Sequence, residues 1–231
     1  MDKKDVDILL KIILQKNLSI LILDTCSLLD VVRCIQRARI SDLKSALNIF
    51  DDWKKTQEKC LIVFPSLFEK EWSDNIETVK KETRKAIETT YNAVECYNYF
   101  FQPEIEKSKF ISYSLENKLL DLSNDIINST GIIVKKIEEC VPRATDRVIN
   151  SIPPAKKGKD STKDCIIFEE VLFISNNLRN NGFDKKIVFV TSNTKEYYIN
   201  NSLIPEIDHD LKLYDIDIAT SLNHAYNVIS T

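Results

Sequence analysis

The residues of this chain best suited to chemistry are carboxylates placed where apolar runs break off. Asp24 follows the run from Leu18 to Leu23, and Glu71 comes six positions after Pro65, which closes the run Cys60 to Phe64. Asp164 stands at the head of a third apolar segment, and Thr191-Ser192-Asn193 closes a fourth, Ile187 to Val190. Acids crowded together repel one another unless a cation neutralises them. Mg²⁺ and Mn²⁺ are hard ions that take oxygen ligands and keep several waters. Such an ion activates water and stabilises the charge that develops on a phosphodiester. That chemistry needs no Ser, Cys or His nucleophile, and the only histidines are His209 and His224, both near the C-terminus. Asp24, Glu71 and Asp164 are therefore the candidate catalytic and metal-binding acids, with Asn193 and Asp160 as further ligands. Thr25, Ser27, Thr191 and Ser192 flank them as candidate substrate contacts.

Each acid also has a plainer reading. Asp24 could cap the helix that follows it. Glu71 could be a solvated helix residue, and Asp164 could serve only to favour a helix N-terminus by its charge. Asp160 reads as the N-cap of that helix, and Asn193 as a turn residue. An acid at the end of a buried strand is costly, however, and that favours a functional reading of Asp24.

The elements that must position these groups alternate. Residues 3–16 carry Val6, Leu9, Leu10, Ile13 and Leu14 at helical spacing. Short apolar runs bounded by polar residues suit buried parallel strands at Leu18–Leu23, Cys60–Phe64 and Lys186–Thr191, with a fourth expected at Leu211–Ile216. Helices are expected from about Ser27, from Ser41 to Glu58, after Pro65, and from about Ser161. The pattern predicts α/β architecture: three layers, α/β/α, around a small parallel sheet of four to five strands. Ligands gather beyond the carboxyl ends of such strands, where all four polar positions fall.

One long stretch interrupts the alternation. Trp72, Ile76, Val79, Thr83, Ile87, Thr90, Val94, Tyr97 and Phe101 recur at steps of three and four, and Gln102-Pro103 ends the series. Leu115, Leu119, Leu122, Ile126, Ile133 and Ile137 form a second series. Together they predict a helical hairpin inserted over residues 73–141 of a single domain spanning 1–231, its apolar stripe packing helix on helix.

Composition narrows the functions. The formal net charge is −3, so bulk charge does not argue for a nucleic-acid partner. The exception is one basic loop expected over residues 142–163, which hold six positive charges, Arg143 and Arg147 with Lys156, Lys157, Lys159 and Lys163, against Asp146 and Asp160. Arg143, Lys156, Lys157 and Lys159 are the candidate phosphate contacts. Only three glycines, Gly131, Gly158 and Gly182, argue against a phosphate-cradling P-loop or a dinucleotide fold. The six cysteines form no C-x-x-C pair, which argues against structural zinc and for reduced thiols in a cytosolic protein. No signal peptide and no bilayer-long apolar run is evident.

In order and placement these segments resemble PIN-domain nucleases, most of all a bacterial PIN-like subgroup. Ile22-Leu23-Asp24-Thr25-Cys26-Ser27-Leu28-Leu29 is similar to the family's opening, a strand ending in Asp. Val63-Phe64-Pro65-Ser66-Leu67-Phe68-Glu69-Lys70-Glu71 is similar to its second motif, with Glu71 rather than Glu69 on the acid. Lys159 to Ile167 resembles the third, and Val190 to Tyr197 the fourth, where Asn193 replaces the more usual Asp. The resemblance implies a Mg²⁺- or Mn²⁺-dependent endoribonuclease acting on single-stranded RNA, of toxin, defence or RNA-processing type. DNA as substrate, a homodimer and an inhibitory protein partner stay open, and no membrane association is implied. Two other readings compete: a catalytically weak scaffold that binds a protein through the hairpin, and a DNA or flap nuclease. A haloacid-dehalogenase-like phosphatase needs an acid two residues after its Asp, and Cys26 stands there.

Overall fold

The computed structural model describes residues 3–55, 58–101 and 114–230. In chain order the elements are α1 (Val6–Lys16), β1 (Ser19–Leu23), α2 (Thr25–Val32), α3 (Ile40–Lys54), β2 (Cys60–Phe64), α4 (Phe68–Phe101), α5 (Leu115–Ser129), β3 (Gly131–Ile133), α6 (Cys140–Asn150) and α7 (Thr162–Asn180). There follow β4 (Ile187–Val190), α8 (Thr194–Tyr197), β5 (Tyr198–Ile199), β6 (Ser202–Leu203), α9 (Pro205–Leu213), β7 (Asp217–Ala219) and α10 (Leu222–Ser230).

Five strands form one parallel sheet in the order β3-β2-β1-β4-β7, and β5 and β6 form a separate antiparallel pair. The central strands are apolar throughout because both faces are covered. Alternate residues of β1 supply two cores. Leu21 and Leu23 face α2, α3, α4, α5 and α10, whereas Ile20 and Ile22 face α1, α7 and α9. The expected α/β/α layering is thus observed. Its register matters for function: Ile22 pairs with Val63, and Leu23 with Val190. Three strand ends, leading into Asp24, Pro65 and Thr191, consequently lie side by side at one edge.

The long helical pair is present and differs from the expected hairpin in its second arm. Helix α4 has 34 residues, and Thr83, fully buried, donates to the Val32 carbonyl of α2 at 3.1 Å. Helix α5 stops at Ser129, and Ile133 belongs to β3, the outer strand beside β2. Ile137 follows that strand and packs on the opposite core. Gly131 makes the switch from helix to strand possible: a Cβ there would stand 2.3 Å from the Phe64 ring and 2.8 Å from the Ile127 carbonyl. Gln102-Pro103, expected to end the first arm, lies outside the described residues.

Two further expectations are corrected. The run Leu211–Ile216 is not a strand. Pro205 at the first turn starts α9, which extends to Leu213, and the strand comes afterwards as Asp217–Ala219. The basic stretch 142–163 is not one loop, because Arg143 and Arg147 sit on α6. Arg147 is buried, bonded to Glu169 at 2.5 Å and Asp210 at 2.6 Å. All six cysteines are free; Cys34, Cys140 and Cys165 are buried, Cys26 and Cys60 half-buried, and Cys96 exposed. Among the described residues no helix is long and apolar enough to cross a membrane.

Candidate active site

Asp24 leaves β1 with extended backbone and occupies the N-cap position of α2, yet its carboxylate makes no capping hydrogen bond. It is held from the neighbouring strand instead. The Thr191 hydroxyl donates to Asp24 Oδ2 at 2.7 Å, and the Cys26 thiol donates to the same oxygen at 3.0 Å. Cys26 Sγ in turn accepts the Ser192 amide at 3.2 Å, and Thr191 Oγ1 accepts the Asn193 amide at 3.2 Å. The ends of β1 and β4 are therefore stitched together under the acid.

Glu71 is placed by the turn after β2. The Ser66 hydroxyl and amide donate to Glu170 of α7 at 2.5 and 2.9 Å, which fixes the start of α4. A turn later Glu71 accepts the Thr25 hydroxyl at 3.0 Å. Glu69, two residues earlier, points away and pairs with Lys3 at 3.0 Å. Asp164 lies in the first turn of α7, where its Oδ1 accepts the Asn193 side-chain amide at 3.1 Å. The N-cap position of that helix is Ser161 rather than Asp160. The Asp160 carboxylate is exposed and accepts the Thr162 amide at 3.1 Å.

Asp24, Glu71 and Asp164 line one cleft of about 520 Å³ together with Thr25, Cys26, Ser192 and Asn193. Burial raises all three carboxyls above their ordinary range. Asp24 is raised by desolvation against the opposing pull of its Cys26 and Thr191 hydrogen bonds. Desolvation also raises Glu71, and the Asp24 charge adds to it. Asp164 is pushed up to about 6 by desolvation, then by Asp24 and Glu196. The carboxylates thus feel one another's charge, and the cleft favours any cation that would relieve it.

A family model described as PIN domain matches residues 21–197. The chain belongs to the PIN-domain family. No curated protein and no solved structure matches it. PIN domains are typically nucleases and generally use divalent metal ions. The matched span runs from β1 through the long helical pair to α8, and includes every strand end that feeds the cleft.

Within this PIN domain, the acids offer the oxygen donors that Mg²⁺ and Mn²⁺ prefer. Among the described residues no three His, Cys, Asp or Glu side chains are gathered closely enough to hold an ion by themselves. The donor chemistry fits an ion that keeps most of its waters and leans on one or two carboxylates, as Mg²⁺ commonly does. Asp160 is not part of the cleft lining.

The remaining expected contacts divide. Thr25 and Ser192 line the cleft. Ser27 is buried and donates to the Val190 carbonyl at 3.0 Å, and Thr191 is fully buried beneath Asp24, so neither hydroxyl lines the cleft. Lys156 and Lys159 both engage Glu196, which is almost completely buried. Lys157 and Arg143 are not in the cleft wall. Arg33, Arg37 and Arg39 are, although composition gave them no prominence. The signal was there in R-x-x-x-R-x-R directly after an apolar helix containing Asp30.

Proposed function

We propose that the chain is a metal-dependent endoribonuclease that hydrolyses phosphodiester bonds in single-stranded RNA. The observation that carries this reading is the meeting of Asp24, Glu71 and Asp164, from three separate elements, in one cleft where burial raises all three pKa values and the Asp24 charge adds to the rise at Glu71 and Asp164. A purely structural cluster would be neutralised from within. Here the lysines at hand sit at the rim: Lys163 stands 3.8 Å from Glu71, and Lys159 is committed to Glu196.

In this reading one or two of the carboxylates of Asp24, Glu71 and Asp164 would hold a Mg²⁺ or Mn²⁺ ion directly, the rest acting through its waters, with Asn193 as a neutral oxygen donor. Bound there, the ion would supply an activated water and offset the negative charge that builds on the phosphate oxygens. The chain's own groups do the positioning. Thr191 and Cys26 orient Asp24, Thr25 orients Glu71, and Asn193 holds Asp164. The buried floor of the cleft keeps bulk water from Asp24, which strengthens every charge interaction there. RNA rather than DNA rests on the family resemblance of the four motifs.

A second reading, a catalytically weak scaffold, is favoured by one observation. Asn193 brings no charge and donates to Asp164, so one oxygen of that acid is already engaged. The deciding experiment is cleavage of a labelled single-stranded RNA, beside a matched DNA, by wild type and by Asp24→Asn in Mg²⁺, Mn²⁺ and EDTA. Metal-dependent RNA cutting that is lost in Asp24→Asn is the expected result. Cutting of DNA alone would change the substrate and keep the site. If a folded protein cuts neither and calorimetry finds no Mn²⁺ binding, the scaffold reading replaces the nuclease.

A further inference from the structure

The wall of the acid cleft carries a second charged cluster, of opposite sign. Asp30 of α2 is 1% exposed and receives three guanidinium groups: Arg33 Nε at 2.7 Å, Arg39 Nη1 at 3.0 Å and Arg37 Nη1 at 3.3 Å. One arginine is enough to neutralise one buried aspartate. The other acid within reach is Asp42, 3.8 Å from Arg39 and already accepting the Asn223 amide at 2.9 Å. Three guanidinium groups against two carboxylates leave one positive charge over.

Donors are left over as well. Arg33 spends its Nε on Asp30, and Arg37 one Nη1. Arg39 spends one Nη1, shared with the Thr220 carbonyl at 3.4 Å. Each planar fork keeps further N–H groups, and all three residues line the cleft beside Asp24, Glu71 and Asp164. Forks of this kind fit phosphate oxygens in bidentate fashion. Clustering like charges around one aspartate costs repulsion that an incoming anion relieves. The lysines of the 151–161 segment do not fill this role, since Lys156 and Lys159 turn to Glu196.

We propose that Arg33, Arg37 and Arg39 form a phosphate site on the cleft wall that holds one backbone phosphate of a single-stranded nucleic acid while a neighbouring phosphodiester lies at the acids. The site rests on the reading of the cleft as a place where a phosphodiester chain binds. It answers a difficulty in that reading: a polyanion has to enter a cleft floored by carboxylates. The arginine wall offsets that repulsion at the point of entry. Asp30 acts as the buried anchor that presents the three forks together. The contacts go to the backbone, so the site reads no base sequence.

The test separates this site from the chemistry. Binding is measured by fluorescence anisotropy of a short labelled single-stranded RNA, with a DNA of the same sequence alongside, to protein carrying Asp24→Asn so that turnover does not intervene. Arg37→Ala is the main variant, since its side chain is 40% exposed and its removal leaves Asp30 with two partners. Arg37→Lys and Arg33→Lys retain charge without the fork. Arg37→Ala is expected to weaken binding about tenfold for any base sequence. The slope of log affinity against log salt should flatten by about 0.7. Arg37→Lys should recover part of the affinity. With Asp24 restored, Arg37→Ala should raise KM for cleavage more than it lowers kcat.

Affinity and salt slope equal to the parent's in both Arg37→Ala and Arg33→Lys would overturn the site, as would a parent that binds neither RNA nor DNA. Cleavage with an unchanged KM in Arg37→Ala overturns the arginine site and leaves the nuclease standing. Arginine-dependent binding without cleavage by any form of the protein does the reverse. Should Arg33→Lys fail to fold, Arg37→Ala carries the decision.

Discussion

Two of the places where the molecule buries charge are treated in opposite ways. Around Arg147 the account is closed. The guanidinium bonds Glu169 at 2.5 Å, Asp210 at 2.6 Å and the Pro153 carbonyl at 2.5 Å, and stacks over Phe168 at 5.0 Å. Around Asp24 it is open. Asp24, Glu71 and Asp164 are held by hydroxyl, thiol and amide donors, and all three have raised pKa values. The first arrangement locks α6, α7 and α9 together. The second stores an unmet demand for positive charge, and it does so at the edge where three parallel strands end. Buried carboxylates are therefore not by themselves a mark of function in this fold; what sets the cleft apart is that three of them meet in it.

The sharpest way to break the contrast is to open the closed cluster. Arg147→Met strands two acids, and unfolding in urea should show a loss of about 3–5 kcal/mol. A loss under about 1 kcal/mol would mean that this cluster is no better compensated than the other. Closing the open cluster should act in the opposite direction. Mn²⁺ at about a hundred times its Kd should stabilise the wild type by about 2.7 kcal/mol, and by far less in Asp24→Asn. Equal stabilisation of both proteins would place the ion elsewhere.

A smaller effect concerns protons. The folded state raises Asp164 from an ordinary value of 3.8 to about 6. The metal-free fold thus prefers the protonated acid. Its stabilising contribution is complete below pH 3.8 and is lost as the pH rises through about 6. Asp164→Asn should therefore make the metal-free protein more stable at pH 7.5, by about 1 kcal/mol allowing for solvent screening. Its melting temperature should also flatten across the window between those two pKa values. A variant as pH-dependent as the wild type would assign the titration to another group. Metal binding competes with the same protons, so affinity for Mn²⁺ in the wild type should rise with pH through about 6.

The acids were legible because each stands where an apolar run stops, and the runs of β1, β2 and β4 are apolar on both faces. Asp24, Glu71, Asp164 and Asn193 all fall on the cleft wall as a result. Short edge strands gave no comparable signal. Strand β7 has three residues, of which only Ala219 is buried, and the more apolar Leu211–Ile216 drew the strand expectation onto a helix end. Strand β3 was hidden in the tail of a helical series whose period continued by chance through Ile133. The roles of the basic residues were the least legible. Density of lysines drew notice to 156–163, where Glu196 takes up two of them, yet nothing near them in sequence announces that acid. Arg33, Arg37 and Arg39 converge only because the chain turns back on itself after α2, at the left-handed Ala38 with φ 53°.

Glu170 gives the site a property that no single active-site residue has. It sits on α7, the helix that carries Asp164, and grips Ser66 at the root of α4, the helix that carries Glu71. The helices that carry two of the three acids are therefore pinned to each other, and Asp24 is fastened to β4 through Thr191. Each acid is also tied to a strand end, Glu71 through Thr25 after β1 and Asp164 through Asn193 after β4, so the three sides of the cleft brace one another.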